Sequence, residues 1–331
     1  MLGVNLQVLN ASIADIAAAM GLKDFTVSDG SNSTNVGALA EAADVAVLCL
    51  GLTVSDEGEG HDRKALGLPQ AQLDLASKVV TAQPYTVAIL VNGGALAIEP
   101  LLEGASAVVS VVEAFYPAQA GATAIVQTLL GQSNRFGKLP YTIYPEMFTE
   151  RSIANYDLRS DGGLTYRYYD NKYGRPLFEF GHGLSFSTFS YEWETPPNAT
   201  VRIADLKASN HAASECYDCS SLAFSVKVTN TGTRTGDAVV LGFIVPKNAS
   251  AGRALFDFGR VSELAAGKSS VVTLRMDSSC KQAISRVDEA GVRWVSEGKY
   301  MVSAGDIVVP ATHELMAVGD PKAIDPRCHL S

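Results

Sequence analysis

The chain reads as an α/β sandwich, a parallel-type sheet with flanking helices, followed by an all-β sandwich. Three observations predict this. Short continuous apolar runs alternate with helical patterns in the first half. The period switches to two in the second half. A strand near residue 50 also empties directly into a glycine-rich acidic loop, the place where open α/β sheets hold their chemistry.

The first predicted strand is Val45–Leu50. Pro69 opens a helix whose apolar positions Leu73, Ala76, Val79 and Val80 recur at helical spacing. Thr86–Val91 is the second strand and ends at Asn92-Gly93-Gly94. Ala95–Leu102 follows as a short helix, Ala107–Val112 as a third strand, and Gln119–Leu130 as a helix stopped by Gly131. Strands buried on both faces read as uninterrupted Val/Ile/Ala runs, and repeated β-α-β implies right-handed crossovers in a parallel sheet. Between Phe136 and Tyr191 the regular pattern gives way to aromatics, glycine and proline. Thr195-Pro196-Pro197-Asn198 reads as linker. Leu222–Asn230 alternates apolar and polar residues, and Ala238–Val245, Ser270–Arg275 and Gly298–Ala304 supply further strands at sandwich spacing. The expected organisation is an α/β domain over 1–190, a linker over 191–207, a β-sandwich over 208–318 and a tail over 319–331.

A length of 331 residues with 47% hydrophobic content supports two domains with real cores. The net charge of −9 and the lack of a basic patch argue against nucleic acid. No apolar run is long enough to span a bilayer, and Met1–Asn5 has no signal-peptide pattern. Cys49 reads as a small core residue. Cys216 and Cys219 have metal-like spacing, with Cys328-His329 as a conceivable completion. Cys280 and Cys328 do not form a second close pair, so disulfides or surface thiols are the preferred reading and no metal is assigned. Sequons at Asn10, Asn32, Asn198 and Asn248 permit glycosylation in a secreted protein.

The acid loop runs Gly51-Leu52-Thr53-Val54-Ser55-Asp56-Glu57-Gly58-Glu59-Gly60-His61-Asp62-Arg63. A dinucleotide loop is excluded: the third glycine is missing and the acidic side chains would repel a pyrophosphate. Proton transfer is the natural work of carboxylates in such a place, and a solvated acidic turn is the bland alternative.

In order along the chain, Glu57-Gly58-Glu59-Gly60-His61-Asp62-Arg63, Asn92-Gly93-Gly94, Tyr116-Pro117-Ala118-Gln119-Ala120-Gly121, Gly137-Lys138-Leu139-Pro140 and Phe180-Gly181-His182-Gly183-Leu184-Ser185 resemble the later signatures of glycoside hydrolase family 3. Val228–Gly232 and Phe256–Val261 are similar to that family's fibronectin III-like module. Leu139–Pro145, Asp157-Leu158-Arg159 and Thr165–Tyr169 look most like its β-xylosidase branch. Thr53 and Ala118 depart from that branch, which usually has aspartate and glycine there.

The resemblance implies a retaining, exo-acting β-D-xylosidase-like hydrolase of plant or cell-wall polysaccharide, acting on oligosaccharides or aryl glycosides without a cofactor. A β-glucosidase, or a non-catalytic remnant that binds carbohydrate or a partner, is the alternative. It also implies Glu59 as acid/base, with Glu57 as runner-up, Arg63 orienting a carboxylate or a sugar hydroxyl, and Asp62 bracing the loop. Phe115 and Tyr116, at a strand's C-terminal end, are expected near a ligand, and secretion is expected by resemblance. His182 and the aromatics Tyr166, Tyr168, Tyr169, Phe178 and Phe180 are expected in turns and packing rather than catalysis. The family's nucleophile is an aspartate in a TIM barrel. No barrel is present, so the chain reads as a fragment, a partial gene model or a separated subunit that supplies the acid/base half.

Overall fold

A computed structural model describes residues 33–60, 62–104, 107–198, 200–203, 222–246, 252–276, 285–287, 293–295, 297–319 and 322–324, with a few isolated positions besides. Cys216, Cys219, Cys280 and Cys328, and the sequons at Asn10, Asn32 and Asn248, lie outside them. The chain forms two compact units. One comprises residues 1–133, 141–162 and 170–179, and the other comprises 134–140, 163–169 and 180–331.

The first unit is built on α1 (Ser33–Glu41), β1 (Ala46–Gly51), α2 (Gln70–Ala82), β2 (Thr86–Val91), α3 (Glu99–Leu102), β3 (Ser110–Glu113) and α4 (Gly121–Leu129). The three strands lie in the order β1-β2-β3 and are parallel, with Ala46 opposite Thr86 and Val87 opposite Ser110. Alternate strand residues face opposite sides. Leu48, Leu50, Ala88 and Leu90 bury against Val36 and Ala40 of α1, Ala76 and Val79 of α2, and Leu101 of α3. Ile89 and Val91 bury on the other side with Ile125 of α4, and Cys49 packs there, half-buried. Burial pushes the Cys49 thiol up to about 11, as befits a core residue. Apolar residues bury on both faces of β2 and of the C-terminal half of β1, which is why these strands carry no polar alternation.

Pro69 stands just before α2, where its missing N–H costs nothing. One turn in, buried Gln72 grips the end of β1 twice. Its Oε1 accepts the Gly51 N–H at 2.9 Å and its Nε2 donates to the Gly51 carbonyl at 2.7 Å. Gly51 has φ of 153°, and a Cβ there would sit 2.0 Å from the Val91 carbonyl oxygen. The chain therefore leaves β1 through a fixed gate. The helices are shorter than their sequence patterns: α3 begins at Glu99 rather than Ala95, and α4 spans Gly121–Leu129.

The second unit is a β-sandwich. One sheet holds β4 (Phe189–Thr195), β6 (Leu222–Asn230) and β9 (Ser269–Met276), all antiparallel. The other runs β5-β13-β12-β7-β8, from β5 (Thr200–Arg202) through β13 (Ala311–Val318), β12 (Gly298–Gly305) and β7 (Gly236–Pro246) to β8 (Ala254–Leu264). Inward residues alternate as Phe224, Val226 and Val228 on β6 and as Val240, Ile244, Leu274, Val302 and Leu315 on the others. Short strands β10 (Ser285–Val287), β11 (Arg293–Val295) and β14 (Lys322–Ile324) form a third sheet.

The boundaries differ from the sequence reading. The stretch read as linker, 191–207, carries most of β4 and all of β5, so the sandwich begins at Phe189 rather than 208. Residues 134–140 and 163–169, placed by sequence in the first domain, belong to the second unit, and β14 falls in the stretch read as a tail. Buried Asp237 shows why the first of these segments goes there. Its carboxylate accepts from Arg260 Nε at 2.8 Å and from the Glu263 N–H at 2.9 Å, and it pairs with Arg135. Arg260 also donates to the carbonyls of Arg135 and Phe136, each at 3.1 Å. Tyr166 stacks on Phe180 with centroids 4.3 Å apart, and both meet Phe243 of β7 edge-on.

Gly51→Ala should lower stability by at least about 2 kcal/mol, because the new methyl cannot coexist with the Val91 carbonyl in the native pairing. Urea unfolding of both proteins checks this, and an unchanged midpoint would contradict it.

Candidate active-site loop

Beyond the Gly51 gate the loop folds on itself. The Asp56 carboxylate accepts the Thr53 N–H and hydroxyl, both at 2.8 Å. The Asp56 and Glu57 N–H groups return to the Thr53 carbonyl at 2.9 and 3.1 Å. This compact turn carries the next side chain back toward the ends of β2 and β3.

Glu57 is the centre of the site. Its Oε1 accepts the Tyr116 hydroxyl at 2.6 Å and the Gly93 N–H at 3.1 Å. Its Oε2 pairs with Arg63 Nε at 3.1 Å. Burial pushes Glu57 up, but the Tyr116 hydroxyl, the Gly93 N–H, the Arg63 guanidinium and the Gly94 N–H outweigh it and hold the carboxyl below its usual range. Burial, and then the bond to the Glu57 carboxylate, push Tyr116 up to about 12. A group with so many donors stays ionised.

Arg63 is tied further. Its Nη1 donates to the Leu66 carbonyl at 3.3 Å and its Nη2 to Ala95 at 3.2 Å. Gly93 and Gly94 leave room for these side chains: a Cβ on Gly93 would lie 2.6 Å from the Tyr116 ring, and one on Gly94 would lie 2.9 Å from Arg63 Nη2, so either would displace a partner of Glu57. Leu66 N–H reaches Glu146 Oε1 at 3.2 Å, and Glu146 N–H reaches Glu99 Oε1 at 2.7 Å, which seats the far end of the loop.

The structure brings together Glu57, Arg63 and Tyr116 of the residues singled out by sequence. Glu59 lies two residues past the clasp, exposed, between Gly58 and Gly60, and Gly60 takes φ of 79°. Asp62 is exposed and outside the clasp, and among the described contacts the bracing expected of it comes from Asp56. Phe115 is half-buried, φ 53°, with its ring edge-on to Tyr141 at 5.8 Å.

Sequence reasoning missed Asp56, Asn92, Glu113 and Tyr141 as partners. Glu113 carried a usable signal, since a carboxylate ending an otherwise apolar strand is out of character. Burial raises it from 4.5 to about 7, against the pull of the Phe115 N–H and the Asn92 amide.

A parallel α/β sheet with this carboxylate loop at its strand ends, followed by a β-sandwich, is the architecture that the comparisons with known proteins bear on. The chain belongs to glycosyl hydrolase family 3, whose C-terminal domain model matches residues 4–186. It is 31% identical over 292 residues to a probable β-D-xylosidase 7 of Arabidopsis thaliana, covering 82% of this chain and 37% of that protein. It is 32% identical to a probable β-glucosidase J of Aspergillus fumigatus, over 84% of this chain and 32% of that one. Its fold matches an exo-β-xylosidase of the family solved with a xylobiose aziridine activity-based probe, at TM-score 0.82 and 25% identity, covering 95% of this chain and 42% of that one. The chain thus spans well under half the length of the relatives it matches. No helix among the described residues is long and apolar enough to cross a membrane.

The Glu113 shift has a definite sign. A carboxyl raised above its unfolded value favours the protonated form, so its contribution is fully present below about pH 4.5 and is lost as pH rises through about 7. Glu113→Gln should therefore gain stability relative to the parent between pH 5 and 8, by on the order of 3 kcal/mol at the upper end. Urea midpoints at several pH values check this, and a pH-independent difference would contradict it.

Proposed function

We propose that this chain supplies the acid/base half of a retaining, exo-acting β-D-xylosidase-like hydrolase, with Glu59 as acid/base. The nucleophile comes from a barrel domain, as the family resemblance implies, and the substrate is a β-linked oligosaccharide or an aryl glycoside. Secretion is part of the reading, and the exposed sequon at Asn198 supports it. Retaining chemistry needs two carboxyl groups about 5–5.5 Å apart across the scissile bond. One attacks the anomeric carbon. The other donates a proton to the leaving oxygen and later removes one from water.

The contrast between the two glutamates carries the assignment. Glu57 is committed to three donors and held ionised, so it makes a poor acid and a good brace. Glu59 follows it on the same loop, exposed and flanked by glycines that let it swing into a substrate. Environment therefore divides the roles, as it does wherever two neighbouring carboxyls serve one reaction. The xylosidase preference rests on the similarity to the Arabidopsis protein and to the xylobiose-probe structure. The β-glucosidase reading rests on the similarity to the Aspergillus protein.

The test joins a family 3 barrel to this chain. Glu59→Ala should lower kcat/KM at least about 100-fold on substrates with poor leaving groups and much less on activated ones. Azide should restore turnover of activated substrates. Glu57→Ala should depress all substrates alike, without azide rescue. The reverse pattern would move the acid/base to Glu57. The chain without a barrel should hydrolyse aryl β-xylosides barely above background, because the covalent step has no nucleophile.

A further inference from the structure

The ends of β2 and β3 carry a second polar group that the proposed chemistry does not use. Glu113 is the last residue of β3. Its Oε1 accepts the Phe115 N–H at 3.2 Å, closing a turn in which Phe115 takes φ of 53°. A bulky residue holds that conformation only when its surroundings impose it. The same turn aims Tyr116, whose hydroxyl lies 2.6 Å from Glu57 Oε1. Beside it, Glu113 Oε2, Asn92 Oδ1 and the Tyr141 hydroxyl are buried without partners. The Asn92 amide faces the Glu113 carboxylate, and Tyr141 feels its charge. Asn92 also donates to the Gly94 carbonyl at 2.9 Å and directly precedes Gly93, whose N–H holds Glu57.

These three partnerless atoms share a single donor, the Tyr141 hydroxyl. Native interiors rarely leave such atoms unpaired. One proton on Glu113 supplies the missing donor, and the carbonyl oxygen of the neutral carboxyl still accepts the Phe115 N–H. We propose that Glu113 is a positioning residue for the acid loop: a proton on its carboxyl keeps the Glu57–Tyr116 clasp closed, and ionisation releases it. Ionisation places a charge where burial outweighs the pull of the Phe115 N–H and the Asn92 amide, so the strand ends open to admit water.

The titratable and charged groups in the cluster are Glu57 and Arg63 on the loop, Tyr116 after β3 and Tyr141 on the 141–162 segment. Tyr116 and Tyr141 are pushed up to about 12 and Glu57 is held below its usual range, while burial holds Glu113 near 7. Of these four titrating groups, Glu113 changes charge across neutrality. The inference rests on the reading of this loop as the functional element. Its test follows loop closure rather than hydrolysis, so it fails separately from the assignment of Glu59.

The test is amide hydrogen exchange on the full chain, read at Gly93 and across residues 57–66 from pH 5.5 to 8.5 and corrected for intrinsic rates. Protection should fall roughly tenfold as pH rises through about 7, the change that one unit of differential titration brings. Glu113→Gln should keep the acid-side protection throughout. His61→Asn should keep the step. A flat parent profile, a step that survives Glu113→Gln, or a step lost in His61→Asn would overturn the proposal. If Glu113→Gln does not fold, Glu113→Asp decides. A step with a displaced midpoint supports the proposal, and one at the parent midpoint overturns it.

Discussion

The clasp on Glu57 is the constraint from which the rest of the site follows. One carboxylate takes a tyrosine hydroxyl from beyond β3, a backbone N–H from beyond β2 and a guanidinium from its own loop. Hydrogen bonds to a charged acceptor contribute about 1.5–3 kcal/mol each, and the Arg63–Glu57 pair, with side chains only 17% and 20% exposed, is better shielded than an ordinary surface pair. The two neutral donors stand at strand ends that the parallel pairing brings side by side. Arg63 then extends the hold to the carbonyls of Leu66 and Ala95. A loop of more than ten residues is closed at its start by Gln72 and Asp56 and at its end by Glu146.

Fixing Glu57 separates the functions of neighbouring groups. Glu57 and Arg63, at the centre of the hold, are half-buried and each engaged by several partners. The residues offered to solvent, Glu59 and Asp62, are left out of the hold. A site that must accept a substrate needs both, a rigid frame and a free group on it. Glu113 adds a third layer beneath the frame, where a buried carboxyl ends a strand instead of the apolar residue its neighbours would favour.

Much of this was legible in the sequence. Val45–Leu50 and Thr86–Val91 are continuous apolar runs, and strands buried on both faces leave no other pattern, so β1 and β2 were placed within a residue. The acid loop was legible because three glycines and four carboxylates rarely crowd together by chance. The start of the sandwich was not: Pro196 and Pro197 look like linker punctuation, yet they turn the chain between β4 and β5. β8 went unread as a strand because Asp257, Gly259 and Arg260 break its apolar alternation, and Arg260 is there to meet Asp237. The roles of Asn92, Glu113 and Tyr141 depend on contacts between distant segments, which no local pattern encodes. The same holds for Glu57, whose rank against Glu59 changes meaning only when Tyr116 is seen 59 positions away at 2.6 Å.

The central claim is that the Glu57–Tyr116 bond orders the acid loop together with the partly buried Arg63 ion pair. A double-mutant cycle of Glu57→Gln and Tyr116→Phe, read as loop protection against amide exchange at pH 6, measures that bond directly. The expected coupling is about 1–3 kcal/mol. Additive effects of Glu57→Gln and Tyr116→Phe would contradict the account.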